Sequence, residues 1–199
     1  LAVTALGIIA WSAPTALKRT RASNFRAEAL WAMGVGLVGG VALLVLSSPV
    51  PAFDLAGLVL IIALVLALCL ATGVFEEGLF RVVLMNALVE HGPFEKHPWL
   101  AAALLSSIIF AMLHVPWETL NGLEPLGVLQ AILKIAQTAT FGMIMAGLYA
   151  ANRSLWQNAI IHAGFNFFYL GPVYAGLVVP TTYLPGALDD FSVLILTLI

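Results

Sequence analysis

LAGLVLIIALVLALCLATGVFEEGLFRVVLMNALV, residues 55–89, is almost unbroken apolar sequence until it meets the adjacent carboxylates Glu76 and Glu77 and then Arg81. As one helix it would run about 52 Å, against a hydrocarbon core of about 30 Å. It is therefore expected to tilt, break or emerge from a bilayer, with Gly73 and Gly78, which flank the acidic pair, as the places for irregularity. An ionisable group at membrane depth costs about 2.5 to 3.5 kcal/mol on insertion scales. Two carboxylates and a guanidinium there need a reason.

The remainder of the chain has the same character. Hydrophobic residues make up 62% of it, charged residues only 9%, and the mean hydropathy is +1.05, whereas an average soluble domain carries about 25% charge. A soluble core has no use for so much apolar surface; a bundle facing lipid does. We read an all-α, polytopic transmembrane helix bundle forming a single integral-membrane domain over residues 1–199, with a prokaryotic cytoplasmic membrane as the expected setting. Apolar segments near 1–17, 27–47, 55–89, 99–115, 126–151, 155–179 and 191–199 make seven helices. The chain opens at Leu1 and stops within FSVLILTLI, which as a helix rises only about 14 Å. Truncation at both ends is expected, with eight or so helices in the whole protein. A net charge of −2 argues against a nucleic-acid partner, and Cys69, the single cysteine, has no disulfide partner in the chain.

Charge placement orients the bundle. Lys18, Arg19, Arg21 and Arg26 lie between segments one and two, Lys96 between three and four, and Arg153 between five and six. The alternate connections hold Asp54, Glu118, Glu124, Asp189 and Asp190 and no Lys or Arg. The first set is cytoplasmic by the positive-inside rule, and one missed or invented helix would destroy the alternation.

Within the helices, polar groups recur at helical spacing. Glu77 and Arg81, Phe110 and His114, and His162 and Asn166 are each four apart, so each pair shares a helical face. Counted at about 1.5 Å per residue from the cytoplasmic helix ends, Glu77, His114, His162 and Asn166 lie about 13 to 23 Å deep, in one layer. Each also has an ordinary structural reading. Glu77 with Arg81 makes a structural ion pair, His114 bonds to a backbone carbonyl, His162 with Asn166 serves as interhelical polar glue, and Lys134, near Gln137, snorkels outward or meets Glu124. Glu76 resists such a reading, because Arg81 is already taken by Glu77 and no other cation is evident. That leaves it as the candidate general base.

EEGLFR (76–81), FAMLH (110–114) and HAGFN (162–166), in this order on successive helices, resemble the E-E-x-x-x-R, F-x-x-x-H and H-x-x-x-N motifs of the CPBP family, the CAAX proteases and bacteriocin-processing enzymes, also called Abi. The match covers residues 72–170, including RSLWQNAIIHAGFN (153–166), and departs at no motif position. The resemblance implies a membrane-embedded glutamate- or metal-dependent endopeptidase. In it Glu76, assisted by His114, activates a water, His162 and Asn166 stabilise the oxyanion, and Glu77, Arg81 and Phe110 support the site. Glu76, His114 and His162 are candidate ligands for a divalent metal such as zinc, while a metal-free glutamate mechanism is equally consistent. The implied partners are the lipid bilayer and a peptide or protein substrate, membrane-anchored or prenylated.

Other intramembrane protease classes fit worse: the chain has no H-E-x-x-H, no G-x-S-x-G-like nucleophile motif and no G-x-G-D. Ser106 and Ser107 read as helix-packing residues. Two readings compete with the enzyme. One is a non-catalytic membrane binding or bacteriocin-immunity protein that uses the same cavity. The other, a proton-coupled carrier, lacks paired broken helices in two similar halves.

Overall fold

A computed structural model describes residues 1–18, 25–46, 55–115, 117 and 125–177. Among these residues every regular element is helical. The elements are α1 (Ala2–Ser12), a short 3-10 turn (Pro14–Leu17), α2 (Phe25–Leu46), α3 (Leu55–Glu77), a π-helical stretch (Gly78–Met85), α4 (Asn86–His91), α5 (Pro98–Met112), α6 (Pro125–Asn152), α7 (Leu155–Tyr169) and α8 (Gly171–Tyr174). They account for the first six expected segments; the seventh, 191–199, lies outside the described residues, as do Arg19, Arg21, Asp54, Glu118, Glu124, Asp189 and Asp190. Proline sits in the first turn of α5 and of α8, where its missing N–H costs no hydrogen bond. Ser154 caps α7 by accepting from the Gln157 amide.

Three helices among the described residues are long and apolar enough to cross a membrane: Arg26–Val45, Ala56–His91 and Val128–Asn152. The chain is a membrane protein. Its lipid-facing surface is apolar in the expected way, with Val59, Leu60, Leu64 and Leu68 of α3 all exposed. The long segment does not break. It runs continuously over Ala56–His91, 36 residues, so its excess length is left to tilt or emergence.

The irregularity falls at Gly78, where the π-helical stretch begins, and not at Gly73, which is regular helix. Gly73 serves a different purpose. A Cβ added there would come within 2.6 Å of the Ala159 carbonyl oxygen on α7. On the other side of α7, Gly36 of α2 lies under the Phe165 carbonyl, a built Cβ approaching to 2.7 Å, and Gly40 lies closer still to that of Phe168. Glycine thus lets α7 press between α2 and α3, the close approach that small residues permit where no hydrophobic effect drives helices together. Gly142 of α6 is likewise in contact with Ser107 of α5, as expected for a packing serine.

The connections assigned by charge to one side do meet. Trp156 Nε1 donates to the Leu17 carbonyl over 3.1 Å, and the Arg153 guanidinium stacks 3.5 Å from the Trp99 ring centroid. Residues 17, 99, 153 and 156 therefore share one end of the bundle.

Candidate active site

Each acidic residue of α3 occupies a different environment. Glu77 is fully buried, turned toward α7 and the π-helical stretch. Its Oε1 accepts from His162 Nδ1 at 2.7 Å; its Oε2 accepts from Asn158 Nδ2 at 3.2 Å and lies 3.4 Å from Arg81 Nε. Arg81, also fully buried, stacks 5.2 Å from the Phe110 ring centroid. An arginine at this depth is tolerable because it is paired and because its planar cation lies against an aromatic face.

Glu76 points the other way, into a cavity of about 790 Å³ whose wall includes Phe110, His114, His162 and Asn166. Glu76 Oε1 lies 3.8 Å from His114 Nε2, and Oε2 lies 3.3 Å from His162 Nε2. Each imidazole is held from behind. His114 Nδ1 is 2.7 Å from the Phe110 carbonyl oxygen, which only accepts, so Nδ1 carries the proton there. His162 Nδ1 faces the Glu77 carboxylate and is likewise the donor. Both Nε2 atoms are thereby turned toward Glu76. Phe110 packs between the rings, its centroid 4.3 Å from His114 and 6.3 Å from His162, and Phe141 covers the other side of His162 at 4.9 Å.

All seven singled-out residues, Glu76, Glu77, Arg81, Phe110, His114, His162 and Asn166, are thus at this site, five on the cavity wall and Glu77 with Arg81 behind it. Of the two readings of Lys134, a contact with Glu124 lies outside the described residues and snorkelling does not hold. The residue is 7% exposed, lines the same cavity and donates to Gln137 Oε1 at 2.8 Å. Asn158 was missed altogether. The signal was present, because Asn158, His162 and Asn166 are spaced four apart on one stripe of α7.

Whether Glu76, His114 and His162 form a metal site is a question of spacing. Among the described residues, no group of three or more His, Cys, Asp or Glu side chains is arranged to hold a metal ion. By residue type Glu76, His114 and His162 stay candidate ligands, and we route no step through a metal.

A sequence model of the family described as type II CAAX prenyl endopeptidase Rce1-like matches residues 58–168. Searches of curated proteins and of solved structures gave no match. The matched region spans more than half of the 199 residues and contains every residue of the cluster around Glu76. The chain belongs to the type II CAAX prenyl endopeptidase Rce1-like family, a family of membrane proteases.

Proposed function

We propose that this protein is an intramembrane endopeptidase that hydrolyses a peptide bond of a prenylated or otherwise membrane-anchored substrate, with Glu76 as the general base. The observation that supports this best is the approach of Glu76 to both Nε2 atoms, 3.8 Å from His114 and 3.3 Å from His162, at the wall of a cavity. A water held between Glu76 and His114 gives a proton to the Glu76 carboxylate as its oxygen attacks the scissile carbonyl carbon. The oxyanion that forms accepts hydrogen bonds from Asn166 and from Nε2 of His162 once that ring, which rests neutral with its proton on Nδ1, has taken up a second proton from solvent. Glu76 then passes the proton to the departing amine as the C–N bond breaks.

The surrounding groups suit those tasks. An imidazolium at His162 is stabilised by the Glu77 carboxylate on its Nδ1, and Arg81 balances the charge on Glu77. Donors fixed in advance in a low-dielectric site are worth about 3 to 4 kcal/mol each in the transition state. The acidic pair divides the work: one carboxylate is neutralised by Arg81 and the other is left for the chemistry.

The test uses purified full-chain protein in detergent and a fluorogenic S-farnesylated peptide ending in a CAAX box, with its unprenylated counterpart alongside. Wild type is expected to cleave the farnesylated peptide, and Glu76→Gln to remain folded but inactive. Cleavage retained by Glu76→Gln would overturn the role of Glu76. Retained partner binding with no hydrolysis by wild type would favour a non-catalytic binding protein.

A further inference from the structure

A buried chain of amides runs behind the site, and neither the base nor the oxyanion donors account for it. Asn152 ends α6, and its Oδ1 accepts from the Ser154 backbone N–H at 2.9 Å. Asn152 Nδ2 donates to Asn158 Oδ1 at 3.2 Å. Asn158, fully buried, donates through Nδ2 to the Met145 carbonyl at 2.8 Å and to Glu77 Oε2 at 3.2 Å. Each orientation is dictated by its neighbours. The backbone N–H of Ser154 can only donate, so the oxygen of Asn152 must face it and its NH₂ must face Asn158. The Met145 carbonyl and the Glu77 carboxylate can only accept, so the NH₂ of Asn158 must face both. A flip of either amide would place two like groups together at both of its ends.

The consequence falls on Glu77. Oε1 is taken by His162, and two groups compete to orient Oε2. Arg81 Nε is 3.4 Å away, and all three Arg81 nitrogens lack a directed hydrogen bond among the described residues. Arg81 therefore supplies charge without fixing the plane of the carboxylate. Asn158 supplies the directed bond. The rotation of Glu77 in turn decides whether Oε1 meets His162 Nδ1, and so which nitrogen of His162 carries the proton and whether Nε2 faces Glu76.

We infer that Asn158 is a positioning residue: anchored by Asn152 and the Met145 carbonyl, it fixes the Glu77 carboxylate and through it the tautomer and aim of His162. The inference rests on the peptidase reading for its kinetic consequence but not for its structural one. Removing groups that orient a ligating or catalytic histidine from behind lowers activity about tenfold to a hundredfold.

Two measurements decide it. The first needs no substrate: the protein, with its four histidines ring-labelled with ¹⁵N, is studied by NMR in detergent, the His162 signal being assigned through His162→Gln. Wild type should show His162 protonated at Nδ1, and Asn158→Ala should show a mixture of tautomers. An unchanged His162 signal in Asn158→Ala overturns the inference. The second is turnover of the farnesylated peptide. Asn158→Ala should lower kcat about tenfold to a hundredfold with KM within about twofold, and should add almost nothing in a Glu77→Gln background, since the two act through one bond. Additive losses would assign Asn158 to packing alone. If Asn158→Ala does not fold, Asn152→Ala is read in its place and should show the same tautomer change more weakly; no change there counts against the inference. Wild type that fails to cleave while the NMR result holds would count against the peptidase reading and leave the positioning intact.

Discussion

Gly73 and Ala159 touch backbone to backbone: a Cβ built on Gly73 lies 2.6 Å from the Ala159 carbonyl oxygen and 3.3 Å from the Ala163 amide nitrogen. One helical turn beyond this contact, Glu77 meets Asn158 and His162, and Glu76 reaches His162. The polar cluster depends on how close α3, thinned at Gly73, comes to α7.

Gly73→Ala should therefore damage the site without touching it. The obstructing atom is backbone, so α3 and α7 must separate. Overpacking of this kind costs about 1 to 3 kcal/mol, and a displacement approaching 1 Å at reacting groups lowers the rate about a hundredfold. Thermal unfolding in detergent and peptide turnover, measured together, check this; wild-type values in both would show that the contact is slack.

Arg81→Ala should harm accumulation in the membrane more than Glu76→Gln does. Arg81 and Glu77 are both fully buried, and removing one partner of a buried pair leaves an uncompensated charge at about 3 to 5 kcal/mol. Glu76 keeps one face on the cavity, and its amide is nearly isosteric. Immunoblots of isolated membranes at equal expression decide the order. Equal amounts of the two variants would mean that Glu77 finds another cation.

Phe110→Ala should be costly for two reasons. The ring is 2% exposed and packs against Phe80, Arg81, His114 and His162. Removal of a buried Phe side chain costs about 3 to 5 kcal/mol, and both imidazoles lose the surface that holds them. Phe110→Leu should recover most of the stability and less of the turnover, a difference that melting and kinetic assays resolve.

Chelation should leave activity unchanged. The proposed route uses Glu76 as the base and needs no metal, so extended treatment with a strong chelator, followed by metal analysis of the purified protein, should show turnover independent of metal content. Loss of activity restored by one equivalent of zinc would reverse that conclusion.

Much was legible in the chain itself, because it is local. Lipid exposure demands apolar residues on the outside, and unbroken apolar runs long enough to span a bilayer as helices point to an all-helical membrane bundle. The 3.6-residue period places Glu77 with Arg81, Phe110 with His114 and His162 with Asn166, whatever the helices pack against. The alternation of basic and acidic connections likewise puts residues 17, 99, 153 and 156 at one end, where the Trp156 and Arg153 contacts place them. Tertiary structure alone decided the rest. That Gly73 is a contact and Gly78 the irregularity, that Lys134 turns into the cavity, and that Asn158 is tied to Glu77 all depend on which helix lies opposite. Period and composition say which face a side chain occupies. They do not say what that face meets, and the hydrogen-bond partners of a buried polar group are a property of the meeting.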